Sequence, residues 1–456
     1  MATPAHPPRP ALKGEKVGTF AYLTIKDRLP QIVAKVVDHL YRTYSSLEET
    51  GVNAARIREA KVVIEELGRL RYEMTTDKPL TPIPADNQPD HEVWNRILAT
   101  EFPGATWFSA TWLFSECYMY RRIYHHFAVT TQWRDFDFFA EQKESTFHAS
   151  HQAVGVLADR VLALCTEAQS DKDPAAESRR VAFTELAQAS LWGNRTDLSL
   201  LVNLNLADIH SIQSGTEDIA DFVVVNQLAT WWDRLSQTPA DQPADRIDLV
   251  LDNSGFEVFV DMVLAHWLVA AGYCGKVVFH CKAIPWFVSD TTIADFHWVV
   301  DTCRDRFQAA QITDAAHLDG LVTLATQWQA HLDAGRWELQ ADSFWTSPYA
   351  FHHLPSAAPA LFTDLQRSAA VVFKGDLNYR KLVYDCEWPL TTPFPEALGP
   401  LAQPGTALPV VALRTSKCDL MVGVTEGQAE QLDQRDSDWL VNGKFAVMEV
   451  SLPSSD

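Results

Sequence analysis

The spacing of hydrophobic residues changes once along this chain. From Thr24, TIKDRLPQIVAKVVDHLYR places Ile25, Leu29, Ile32, Val33, Val36, Val37 and Leu40 three and four apart. That interval marks one face of a helix. Ile57, Ala60, Ile64 and Leu67 make a second stripe and predict a helix from Ala54 to Tyr72. TTDKPLTPIPADNQPD (Thr75 to Asp90) reads as loop by its Pro and Asp content. Trp107 to His126 and His148 to Cys165 read as further helices, and AQSDKDPAAES (Ala168 to Ser178) as a linker. Beyond it, short apolar runs rich in β-branched residues take over: Ile247–Leu251, Lys276–His280, Ala369–Phe373 and Pro409–Leu413. Each gives way to polar residues and then to a helical pattern. Strands alternating with helices predict an α/β fold, a mostly parallel Rossmann-like sheet covered by helices. The expected division is a helical N-terminal region over 1–175 and an α/β domain over 176–456. Near the end, WLVNGKFAVMEV carries Asn442-Gly443 and predicts a closing edge hairpin.

Composition narrows the class. The chain has 456 residues, 47% hydrophobic and 21% charged, which is enough apolar material for a large folded core. A formal charge of -21 excludes a general phosphate-backbone binder, so no nucleic acid partner is expected. It leaves room for a small anion, because a few local cations or a metal can reverse the field in one pocket. Seven scattered Cys without a CxxC pair fit reduced thiols in a cytoplasmic or nuclear compartment. MATPAHPPRP is no secretory signal, and Met262 to Gly275 is too short to span a bilayer, so no membrane association is expected. Oligomeric state is not legible.

Candidate chemistry gathers at the strand ends. In IDLVLDNSGFEVF the strand stops on Asp252, Asn253 and Ser254, and Gly255 allows a tight turn into the next helix. Open α/β sheets bind ligands in the crevice beyond those carboxyl ends. The following strand unit ends on Val288-Ser289-Asp290. Asp252, Asn253 and Asp290 would thus face one crevice with hard oxygen donors suited to Mg²⁺ or Mn²⁺. The competing role for either acid is capping the helix that follows it. AVVFKGDLNYRKL ends a strand on Gly375-Asp376, with an anion-accepting helix start near Leu377 and Asn378 and Arg380 beside it. VVALRTSK ends another on Arg414, Thr415, Ser416 and Lys417, cations that fit a phosphate or else neutralise neighbouring acids.

DNSGFE, LWGNRTDLSL, FKGDLNYRKL and RTSK, in this order, resemble the damage-control phosphatases of subfamily III, a group also known as acidic residue methyltransferases. GTFAYLTIKDRLPQI and WLFSECYMYRRI extend the likeness into the N-terminal half. The resemblance implies a metal-dependent phosphatase using Mn²⁺, Co²⁺ or Ni²⁺. Its substrates would be small phosphomonoesters such as fructose 1-phosphate and fructose 6-phosphate. It implies metal ligation by Asp252, Asn253 and Asp290, and catalytic roles for Asp252, Asp290 and Lys417. Asp252 and Asn253 would also contact substrate, together with Asp376, Leu377, Asn378, Tyr379, Arg380, Arg414, Thr415 and Lys417. An S-adenosylmethionine site would map to Glu257 and Asp290. Asn194 and Asp197 would form a second layer around the pocket or cap a helix. Glu116, Tyr118, Tyr120 and Arg121 either border the pocket or pack an amphipathic helix. The competing functions are methyl transfer to protein carboxylates, although the glycine-rich loop usual for that cofactor is missing, and non-catalytic sugar-phosphate binding.

Overall fold

A computed structural model describes residues 6–49, 54–86, 88–170, 173–193, 219–239 and 242–453. Its centre is a seven-stranded sheet: β1 (Val223–Asn226), β2 (Ala244–Val250), β3 (Cys274–His280), β4 (Trp337–Gln340), β5 (Val371–Lys374), β6 (Val410–Thr415) and β7 (Ala446–Ser451). The strand order is β1-β7-β6-β5-β2-β3-β4. β6, β5, β2, β3 and β4 run parallel, while β7 is antiparallel to β6 and parallel to β1. The fold is α/β with a mostly parallel sheet, as the alternating pattern implied.

The interior strands are apolar on both faces because both faces are covered. Val371 and Phe373 of β5 enter one hydrophobic cluster and Val372 the other; Val410 and Ala412 of β6 divide from Val411 and Leu413 in the same way. The first cluster extends through Phe351 and Trp286 to the N-terminal helices Leu29–Glu49, Ala54–Thr75 and Trp112–Ala128. The second takes in the helices His151–Ser170, Glu177–Trp192, Phe256–Ala270 and Leu318–Asp333. The predicted linker thus joins two helices of one layer, the first of which runs on to Ser170.

The edge hairpin is not formed. Asn442-Gly443 lies in a turn before β7, the helix Gln428–Arg435 separates β6 from β7, and β7 lies inside the sheet with β1 beyond it. Asn-Gly marks a turn, but the strand that pairs antiparallel with β7 is β6, separated from it by that helix rather than joined to it by the turn. β1 and β4, four residues each, lie on the sheet's edges and are not among the predicted strands; β4 (WELQ) carries no apolar run, whereas the Val223–Val225 run of β1 is legible in the sequence. Among the described residues, no helix is long and apolar enough to cross a membrane. All seven Cys are free and buried.

Candidate active site

β3 and β4 lie to one side of β2, and β5 and β6 to the other, so the chain reverses its winding beside β2. That is the switch point at which crevices open beyond the strands' carboxyl ends. A cavity of 150 Å³ lies here, lined by Asp252, Asn253, Ser289, Asp290, Asp376, Leu377, Arg380 and Lys417 from the sheet side. Phe20, Arg28, Trp112 and Glu116 from the helical region close it.

Asp290 reaches the cavity by a route that strand ends alone do not predict. β3 stops at His280, well before it. The later segment folds back and pairs antiparallel with the end of β2, Asn253 opposite Asp290. The Ser254 N–H donates to the Ser289 carbonyl at 2.7 Å, and the Thr291 N–H to the Asp252 carbonyl at 2.8 Å. Backbone pairing therefore fixes both carboxylates on one wall. Phe287 and Val288, with φ of 44° and 73°, form the bend. A β-branched residue in that region is strained, and such strain persists where surrounding structure enforces it.

Neither acid caps a helix. Gly255 stands at the N-cap of Phe256–Ala270 with no side-chain hydrogen bond, and Thr292 with Asp295 forms the capping box of Ile293–Arg304. Burial, with Glu257 and Asp290 nearby, pushes the Asp252 carboxyl well above its ordinary range against the opposing pull of Lys282 and Lys417. Burial likewise pushes Asp290 up to about 6, although Lys282 opposes it. Asp290 Oδ2 receives no well-directed hydrogen bond; Lys282 Nζ lies 3.2 Å away and donates at 2.5 Å to the Leu251 carbonyl. Asn253 Nδ2 donates to Asp252 at 2.6 Å and to Glu257 at 2.7 Å, and Asn253 Oδ1 accepts from Ser289.

Two buried carboxylates short of compensating charge, beside an amide oxygen, suit a hard divalent cation. Among the described residues, no three His, Cys, Asp or Glu side chains group as a metal site, so a third protein donor beside these two acids would have to be of another kind, such as the Asn253 amide. Gly375 permits the close approach. Its φ is +82°, and a Cβ there would stand 1.9 Å from Asp252 Oδ2. Gly255, at φ +77°, makes the turn after β2 but faces Lys143 and Phe147 rather than the cavity.

The remaining candidates divide between the cavity and its supports. Lys417 lines the cavity, and its ammonium has no hydrogen-bond or ion-pair partner among the described residues. Asp376 Oδ1 accepts from the Lys417 N–H at 3.1 Å and from Arg414 Nε at 2.9 Å. Burial works against the Asp376 carboxylate, but Arg414 and Arg380 outweigh it and hold the group below its ordinary value. Arg414 itself is fully buried, with Nη1 on the Leu420 carbonyl at 2.6 Å and its plane 4.3 Å from the Tyr379 ring. Thr415 is buried at the end of β6, and Tyr379 points away to donate to Glu449 at 2.6 Å. Asn378 Nδ2 donates to the Lys374 carbonyl at 2.7 Å and reaches the Val250 and Leu251 carbonyls, tying β2 to the helix Gly375–Leu382. Glu257 is buried between Asn253 and Lys374, whose ammonium lies 3.3 Å away. Asn194 and Asp197 lie outside the described residues.

Of the helical candidates, Glu116 borders the cavity and binds Arg380 at 2.6 Å. Tyr120 packs behind it on Phe287, Arg121 pairs with Asp86 and Asp90, and Tyr118 donates to the Thr81 carbonyl. Phe20, Arg28 and Trp112 received no role from the sequence, although they lie in the two N-terminal segments that carried the family resemblance.

The chain matches the family model of the damage-control phosphatase ARMT1-like domain over residues 24–432. Damage-control phosphatase ARMT1 of Rattus norvegicus is 38% identical over 97% of this chain and 98% of its own, and that of Homo sapiens 36% over 97% and 98%. Among solved structures, a DUF89 family protein from Pyrococcus horikoshii covers 94% of this chain and 97% of its own at 10% identity and a TM-score of 0.42. With a matched model spanning most of its length and relatives alike from end to end, this chain belongs to the ARMT1-like damage-control phosphatase family.

Proposed function

We propose that the cavity hydrolyses small phosphomonoesters with the help of a divalent metal ion, sugar phosphates such as fructose 1-phosphate and fructose 6-phosphate being the expected substrates. The observation that carries this reading is the convergence of Asp252, Asn253 and Asp290 on one wall of a cavity whose other wall presents Lys417. Asp252, Asn253 and Asp290 would hold the ion, with Mn²⁺, Co²⁺, Ni²⁺ and Mg²⁺ as candidates. A bound ion supplies positive charge to the transferring phosphoryl group and acidity to a nearby water. Lys417 binds a phosphoryl oxygen, its backbone fixed by Asp376, while Trp112 and Phe287 limit water on the far side. An in-line attack by water then forms the new P–O bond and breaks the one to the leaving alkoxide; the water gives up one proton to solvent and the alkoxide takes one up, giving inorganic phosphate and the free alcohol.

The test is phosphate release by metal-stripped protein given each ion in turn, over a panel of sugar phosphates. Asp252→Asn should lower turnover by about 1,000-fold, retain the wild-type melting temperature within a few degrees, and lose metal binding by calorimetry. No phosphate release with any ion and any ester defeats the reading. So does a fully active Asp252→Asn.

A further inference from the structure

A phosphomonoester brings two negative charges, and most cations near the cavity are already engaged. Arg414 is spent on Asp376 and the Leu420 carbonyl. Arg380 holds Asp385 at 2.8 and 3.0 Å, binds Glu116, and stacks 3.5 Å from the Trp112 ring. Lys282 is held by the Leu251 carbonyl and Asp290. Lys417 and Arg28 are the remaining cations on the cavity wall, and among the described residues neither head group has a hydrogen-bond or ion-pair partner.

Arg28 also stands where the cavity meets a second space. A cleft of 510 Å³ runs between the helices Leu29–Glu49 and Ala140–His148 and shares Arg28, Phe287 and Ser289 with the cavity. Pockets that enclose a whole small ligand hold about 300–1,000 Å³. The cavity, at 150 Å³, is too small for that and the cleft is not. Within the cleft Arg42 is tied to Asp38 and Glu141, and His39 to Glu141. Lys35 also lines the cleft, and Gln31, Gln142, Ser145 and Ser289 add neutral hydrogen-bonding groups suited to hydroxyls. The backbone adds an independent sign: Thr24–Arg28 is a π-helical turn ending on Arg28. Such turns are rare and concentrate at functional sites.

We infer that Arg28 is the second cation on the substrate phosphate, and that the substrate lies across this junction with its phosphate under Arg28 and Lys417 and a hydroxyl-rich leaving group in the cleft. This rests on the phosphatase reading. Arg28 has the planar, permanently charged head that grips two phosphoryl oxygens at once, which a lysine matches only as a point charge. It comes from the helical region, so the α/β part alone does not carry the full phosphate cradle.

The experiment uses the full chain and compares wild type with Arg28→Ala, Arg28→Lys and Arg69→Gln, the last removing the same charge from an exposed helix position. Arg28→Ala should lower kcat/KM about 100-fold on both a hexose phosphate and ethyl phosphate. It should weaken binding of inorganic phosphate about tenfold, while Arg28→Lys recovers part of each loss and Arg69→Gln recovers wild-type values. Ser145→Trp, which fills the cleft, should collapse the wild-type preference for hexose phosphate over ethyl phosphate. Equal kcat/KM and phosphate affinity in wild type and Arg28→Ala overturns the inference. So does a substrate preference untouched by Ser145→Trp. A wild type that binds phosphate through Arg28 yet releases none from any ester defeats the phosphatase reading while sparing the anion site.

Discussion

Asp252 shows what a single position in this site requires. Its carboxylate is desolvated, repelled by Glu257 and Asp290, and covered by a residue that cannot carry a side chain. Gly375→Ala puts a Cβ 1.9 Å from Asp252 Oδ2 and a side chain at φ +82°. Left-handed strain alone costs about 1–2 kcal/mol, and the displaced carboxylate compounds it. The variant should melt several degrees lower and lose about 100-fold in phosphate release, the penalty of an ångström-scale misplacement. Thermal denaturation and steady-state turnover check both, and a Gly375→Ala enzyme of full activity would remove Asp252 from the reacting centre. The sequence made the acids legible because a hydrophobic strand ending on Asp-Asn-Ser-Gly is an unusual stop. It placed Gly375 at a strand end but gave it no role against Asp252, since which glycine lies over Asp252 depends on β5 running beside β2. No local pattern reports that neighbour.

At the scale of elements, helix–helix contacts hold groups whose titration the fold must suppress. His266 on Phe256–Ala270 and His331 on Leu318–Asp333 lie with ring nitrogens 3.1 Å apart. Burial lowers His266 to about 3, with His331 adding to the effect, and lowers His331 to about 4, with Arg336 adding to it. Both are therefore neutral in the folded protein at pH values where the unfolded chain, with an ordinary value near 6.5, takes up protons. Stability is fully present above about pH 6.5 and falls as pH drops below it, by up to about 1.4 kcal/mol per pH unit for each histidine. His331's contribution stops falling near 4 and that of His266 near 3. Urea unfolding between pH 7 and 4 should show this slope, and a His266→Leu/His331→Leu double variant should flatten it; an equally steep double variant would assign the acid sensitivity elsewhere. The helices Leu29–Glu49 and Ala54–Thr75 were readable from their stripes. The fold-back that pairs Asn253 with Asp290 was not, because its cause is a strained Phe287-Val288 bend enforced by tertiary packing rather than by turn residues.

For the molecule as a whole, the question is whether the α/β part is a unit by itself. A division at 175/176 is what the change of hydrophobic period suggests, yet both faces of the sheet depend on residues before it. On one side Leu113, Tyr120 and Phe139 belong to the cluster that contains Trp286, Phe351 and Phe373. On the other, Val154, Leu157 and Val161 of His151–Ser170 belong with Val260, Leu264 and Leu324. Arg380 closes the junction by pairing with Glu116 and stacking on Trp112, so removing the helical region leaves that buried guanidinium short of one carboxylate and its aromatic lid. A chain of residues 176–456 would uncover apolar surface on two faces at once, far beyond what a stable domain leaves bare. We expect that fragment, expressed alone, to bind a hydrophobic dye and to melt without a cooperative transition. Supplying residues 1–175 as a separate chain should restore both a sharp melt and phosphate release, because the missing surface and the cavity-lining Trp112 and Glu116 return together. A fragment that folds cooperatively without them would make the helical region an accessory to the site instead of part of its frame.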